Sequence, residues 1–192
     1  SSASMDFLTG HVGAGKTTEL LRMRQRLGQL PQDHRPTVLT LDATPLVDVS
    51  DVDLEDVLVA LWRLVLDLDK LAASKVLAEL WKSELRDAIV AQGTGASALL
   101  RGVVDRLPSV ATDGLTRLLD VLKLQPPEQR KELRGLLGSL TDTLLRGLNK
   151  ALEALRQEVA GPVVLLVDNL EKLSIQQRER VEHLYVERFR AL

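Results

Sequence analysis

The chain contains no cysteine, which excludes disulfides, thiolate zinc sites and cysteine nucleophiles. Histidine is nearly as scarce. His11, His34 and His183 are the three imidazoles, and their spacing matches no metal motif. Aromatic side chains number two Trp, one Tyr and two Phe, without the interleaving with basic residues that stacking platforms for single strands use. Neither sign of charge dominates. Lys plus Arg number 25 against 27 Asp plus Glu, a net charge of -2, so no basic field points to a phosphate backbone and no direct nucleic-acid partner is expected. Uninterrupted apolar runs stay short of the roughly eighteen residues of a membrane span, and no basic segment followed by an apolar stretch opens the chain. These absences lead to the expectation of a cytoplasmic protein without a membrane span. What is present is 192 residues with 45% apolar content, enough to bury one sizeable core and too apolar for intrinsic disorder.

Along the chain, an apolar stretch from Met5 reads as a short strand that ends at Gly10. From Gly15 onward, Leu20, Leu21, Met23, Leu27 and Leu30 predict an amphipathic helix, which Pro31 to Pro36 break. Thr37 to Leu41 is a second strand, and the strand, helix, strand order predicts a βαβ unit. Leu54 through Leu155 carries helical patterning, interrupted around Gly93 to Gly95, at Pro108 and at Pro126 to Pro127. Within it Leu133, Leu137, Leu140, Leu144, Leu148, Leu152 and Leu155 recur at three- and four-residue steps, one apolar stripe on a helix. Internal packing is the first reading of that stripe, and a surface for a partner helix or for self-association is the second. Gly135, Gly138 and Gly147 lower helix propensity but permit close approach on the face that carries them. Val163 to Val167, five consecutive aliphatic residues, fits a parallel strand buried on both faces, closed by Asp168. Ser174 and Gln177 then form a capping-box pattern at the start of a charged amphipathic helix.

Chemistry concentrates in Gly10-His11-Val12-Gly13-Ala14-Gly15-Lys16-Thr17, which fits glycine, four residues, then Gly-Lys-Ser/Thr, between a predicted strand and a predicted helix. Glycines let the backbone bend and bring successive N-H groups close to phosphate oxygens, where the positive end of the helix also points. Lys16 is then the mobile charge on the β and γ phosphates. Thr17 offers its hydroxyl to Mg²⁺, a hard cation that takes oxygen ligands. Thr18 closes the set of nucleotide-contacting residues. His11 lies within it too, in contact with the nucleotide or a neighbouring subunit, although an exposed loop histidine without a role is the preferred reading of that residue.

Asp168 ends the late aliphatic strand at its C-terminal side, where ligands gather in open α/β sheets. Paired with the phosphate loop, it fits a carboxylate that helps to hold Mg²⁺, whereas alone it reads as an ordinary loop acid. Hydrolysis also requires a positioned water and a proton acceptor. Asn169 follows Asp168 directly, and an amide orients water without accepting its proton. Glu171 is the nearest downstream carboxylate, a catalytic candidate or a solvated surface residue in equal measure.

The two motifs resemble those of P-loop NTPases, specifically the additional-strand branch that includes AAA+ and the STAND and KAP families. The closest local likeness is to the KAP or STAND type, in the run Asp168-Asn169-Leu170-Glu171-Lys172, where Asn169 stands at a position usually acidic in those families. The likeness covers about the first 45 residues and the stretch from Gly161 onward. It implies an α/β fold: a P-loop core with a parallel sheet formed by residues 1-50 and 161-192, and a large, mainly helical insertion over 51-160. Families of this branch place a further strand after the aspartate strand, so the sheet is expected to be incomplete in this chain. The implied function is a Mg-ATP-binding ATPase of weak turnover, a nucleotide switch for assembly or signalling of the kind found in bacterial defence, with ATP and ADP as ligands and self-association or a partner protein engaged through the helical insertion. A non-hydrolysing ATP-binding scaffold is the alternative, and a small-molecule kinase ranks below both.

Overall fold

The computed structural model describes residues 15-42, 44-46, 52-68, 71-93 and 97-168, with only the backbone of residues 98 and 99. The strand expected from Met5, the loop residues Gly10 to Ala14, the acid Glu171 and the helix expected after Ser174 lie outside the described residues.

Helix α1 (Lys16–Gly28) leads through a turn-rich connector to strand β1 (Thr37–Asp42). Seven helices follow: α2 (Leu54–Leu66), α3 (Ala72–Leu80), α4 (Arg86–Gly93), α5 (Ala98–Val104), α6 (Ala111–Leu124), α7 (Pro127–Gly138) and α8 (Thr141–Val159). A single π-helical turn, Trp81–Leu85, joins α3 to α4. The chain then returns as β2 (Val163–Asp168), parallel to β1. The described molecule is therefore mainly helical, with a small two-stranded parallel sheet. Parallel strands require a crossover connection, and here α2 to α8 form it. Among the described residues no helix is long and apolar enough to cross a membrane.

The core centres on α2, where Leu54 through Trp62 are all buried. Its N-terminus is a reciprocal cap: Leu54 N donates to Asp53 Oδ1 at 2.9 Å, and Asp53 N donates to Asp56 Oδ2 at 3.0 Å. Asp56, 1% exposed, also accepts from Arg134 of α7, from Nε at 3.1 Å and from the terminal nitrogen at 2.6 Å. Burial pushes the Asp56 carboxyl above its usual range, against the opposing pull of the Arg134 guanidinium. At the next joint Glu132 of α7 accepts from the Ser97 hydroxyl and amide, and these hydrogen bonds hold its carboxyl below the usual range.

Each tryptophan is seated against a helical glycine. Trp62 donates from Nε1 to the Leu144 carbonyl at 2.8 Å and packs its ring against Gly147, while Trp81 donates to the Pro108 carbonyl at 3.1 Å and packs against Gly114. A Cβ at either glycine would fall well inside van der Waals contact with the indole. Of the three glycines read as sites of close approach, Gly147 serves in this way, whereas Gly135 faces open space. Gly147→Ala is therefore expected to destabilise the chain by about 1–3 kcal/mol, overpacking outweighing the helix-propensity gain. Gly135→Ala, with room for its methyl, is expected to stabilise it by about 0.5–1 kcal/mol. Urea denaturation of the two variants compares these signs directly.

The structure corrects three expectations. The leucine stripe does not run along one helix, because Gly138 and Ser139 end α7 and the Leu140 amide closes a turn on Leu137 O at 2.9 Å before α8 begins. Leu133, Leu137, Leu140, Leu144, Leu148 and Leu155 are buried and Leu152 packs on them, so the stripe is interior and offers no partner or self-association surface. Internal packing, the first of the two readings, is the one that stands. Helix α1 buries none of its residues: Leu20 and Leu27, two turns apart, are half-buried, while Leu21 is turned about 100° away and exposed, and Met23 at the edge of the face is exposed too. Finally, β2 is not buried evenly on both faces, since Leu166 is buried and its neighbours are half-buried.

Candidate functional site

Pleating sorts the strand residues into two faces. Leu39 and Leu41 of β1, with Val163, Leu165 and Val167 of β2, pack against the helical core. The opposite face carries Val38, Thr40 and Asp42 beside Val164, Leu166 and Asp168, paired in register across the two strands. Leu166 is buried without belonging to the helical core. Helix α1 packs against β2 and is itself no part of that core.

At the head of α1, Gly15 occupies the cap position with φ +78° and ψ +18°, a left-handed conformation open to glycine at little cost. Among the described residues a Cβ there would meet nothing within 4 Å, so the left-handed backbone is what calls for glycine. Lys16, Thr17 and Thr18 are the first three helical residues, and the first intrahelical bond is Glu19 N to Gly15 O at 2.9 Å. First-turn amides have no acceptor within their own helix, and the glycine cap supplies no side chain to them. Thr17 and Thr18 are exposed and Lys16 is half-buried. This is the local arrangement that favours an anion.

Asp168 closes β2, and Asp42 closes β1 directly beside it. Asp42 was not among the residues singled out from sequence, although its signal was present: an acid ends Thr37 to Leu41 just as Asp168 ends Val163 to Val167. The Thr44 amide donates to Asp42 Oδ1 at 3.0 Å, and the next loop residue, Pro45, accepts from Lys123 Nζ of α6 at 2.6 Å. The turn after β1 is thereby tied to the helical body.

No family model, curated protein or solved structure matches this chain. A functional reading therefore stands on its own residues. Of the residues expected to contact nucleotide and metal, Gly15, Lys16, Thr17 and Thr18 form the start of α1, and Asp168 ends the strand against which that helix packs. Gly10, His11, Val12, Gly13, Ala14 and Glu171 lie outside the described residues. An open hollow lined by Glu153, Arg156, Gln157 and Gly161 lies where α8 passes into β2, a full strand length, about 20 Å, from the Asp168 end. It is no part of this arrangement.

Proposed function

We propose that this chain binds Mg²⁺-ATP at the start of α1 and hydrolyses it slowly, as the nucleotide core of a switch of the AAA+/STAND/KAP-like kind. Residues 1-50 and 161-192 would form the core and 51-160 the helical body that responds to it. The observation that carries this reading is left-handed Gly15 followed by Lys16 and Thr17 as the first helical residues, on a helix packed against the strand that ends in Asp168. The chain dimensions agree with it. Thirteen residues in α1 and six in β1 both span about 20 Å, so a helix whose far end feeds β1 can return its first turn to the level of Asp42 and Asp168.

The donor chemistry fits the ligand. Lys16 and the amides of the first turn suit phosphate oxygens, and Thr17 with Asp168 provides hydroxyl and carboxylate oxygens of the type Mg²⁺ accepts. When bound, Mg²⁺ neutralises charge on the β and γ phosphate oxygens. The chain's part is to orient the phosphates, hold the metal shell in place and position water. Coupling to the helical body has a route in the turn after Asp42, which Lys123 binds at Pro45 and which leads into the cap of α2. A switch acts through such contacts only where the triphosphate and diphosphate states engage them differently.

The non-hydrolysing scaffold is the second reading, favoured by Asn169 directly after Asp168. Titration of the purified chain with ATP, with and without Mg²⁺, tests the proposal. We expect saturable, Mg²⁺-dependent binding that Asp168→Asn weakens by about tenfold, a change of about 1.4 kcal/mol. Absence of saturable binding overturns the proposal. Phosphate release then decides between the readings, since a rate at the no-enzyme background leaves the scaffold.

A further inference from the structure

We propose that Asp42 is the carboxylate that takes the proton from the attacking water. The inference deepens the ATPase reading and rests on it. What generates it is the register of the sheet: β1 and β2 pair in parallel with Asp42 directly opposite Asp168, at a strand spacing of about 4.8 Å. Both acids end their strands at the edge where ligands collect in parallel sheets. Pleating also turns both toward the same face, because Leu41 and Val167, the residues just before them, face the helical core. A carboxylate that helps hold the metal and a second one a strand's width to its side is the separation of roles that hydrolysis requires: one group fixes the phosphates and the other accepts a proton.

Thr40 is a separate mark of the same face. It precedes Asp42 by one pleat repeat, and its Oγ1 is buried with no hydrogen-bond partner among the described residues. A buried hydroxyl in that condition is costly and calls for a polar partner on this face. The turn after Asp42 also holds the acid in position, since the Thr44 amide donates to Oδ1 at 3.0 Å. Asn169, by contrast, cannot accept a proton at all.

In the step itself, the water oxygen forms a bond to the γ phosphorus while the bond from that phosphorus to the β-γ bridging oxygen breaks. ADP leaves with the electron pair of that bond, and the water proton passes to the Asp42 carboxylate. Lys16 and the first-turn amides of α1 meet the phosphate charge throughout.

The test is single-turnover phosphate release and ATP titration, both with Mg²⁺, on the wild-type chain, Asp42→Asn and Glu171→Gln. Asparagine retains an Oδ1 acceptor for the Thr44 amide, so that tie is kept while the carboxylate's charge and its capacity to accept a proton are removed. We expect Asp42→Asn to lower the rate about a hundredfold or more, with ATP affinity within about threefold of wild type, and Glu171→Gln to retain most of the rate. A wild-type rate in Asp42→Asn overturns the assignment. So does a loss of ATP affinity in Asp42→Asn that vanishes when Mg²⁺ is withheld, which would make Asp42 a metal-positioning residue. Wild-type protein that binds ATP at background turnover overturns the base while leaving nucleotide binding in place. Wild-type protein that binds no ATP removes both, so failure of the inference and failure of its foundation give different results.

Discussion

Lys16→Ala is expected to weaken Mg²⁺-ATP binding by about ten- to a hundredfold while leaving the helical body folded. The lysine is half-buried, the first residue of α1, in a helix that buries no residue and contributes nothing to the apolar core. On the proposed reading its removal takes away a charge-assisted interaction with phosphate, worth about 1.5–3 kcal/mol, and little packing. Calorimetric titration reads the affinity, and circular dichroism with urea denaturation reads the fold. Undiminished affinity in a folded variant contradicts the assignment of α1 as the phosphate site. Lys16→Arg is the companion variant: it restores charge but not a compact ammonium, and recovery of only part of the affinity is the expected outcome.

The largest effect on stability is expected from Arg134→Met. Asp56 is 1% exposed, and Arg134 meets it with two hydrogen bonds across α2 and α7. Removing one partner of a buried pair strands the other's charge, a loss of about 3–5 kcal/mol. The dependence on pH follows from the direction of the Asp56 shift, upward from 3.8 through burial. A carboxyl raised in the folded state favours folding when protonated, so its contribution declines as pH rises from the unfolded value through the folded one. Without the guanidinium, which pulls the other way, that window extends to higher pH. The gap between Arg134→Met and wild type in urea denaturation should thus be widest near pH 7 and narrow toward pH 4. Adding Asp56→Asn to Arg134→Met should recover part of the loss at pH 7. A gap that is constant with pH would show that packing of the Arg134 stem, and not the stranded carboxylate, carries the cost.

Legibility varied with the distance over which each feature is encoded. Thr37 to Leu41 and Val163 to Val167 were readable as strands because their aliphatic runs are local, and each extends by one acid in the structure. The helical stretch was readable from Leu54 to Leu155 for the same reason, with its breaks at Pro108 and Pro126. The break at Ser139 was not, because leucines on either side keep a helical step: α7 and α8 both bury them, and periodicity passes through the turn without registering it. The exposure of Leu21 was equally hidden, since periodicity marks an apolar face without stating how much of it another element covers. Among candidate site residues, Gly15, Lys16 and Thr17 were legible because a contiguous motif carries its own geometry. Asp42 was not, because strand register depends on both strands.

By itself, then, the sequence determined the strands Thr37 to Leu41 and Val163 to Val167, the helical character of the stretch between them, and the glycine, lysine and threonine at the head of α1. Each of these is set by neighbours in the chain: side-chain period, capping and backbone freedom act over a few residues. Tertiary structure alone decided that Asp42 stands beside Asp168, that Trp62 rests on Gly147, that Arg134 answers Asp56 across 78 residues of chain, and that the leucine stripe is core. Those pairings follow from close packing, which selects partners by shape, burial and charge wherever they lie in sequence.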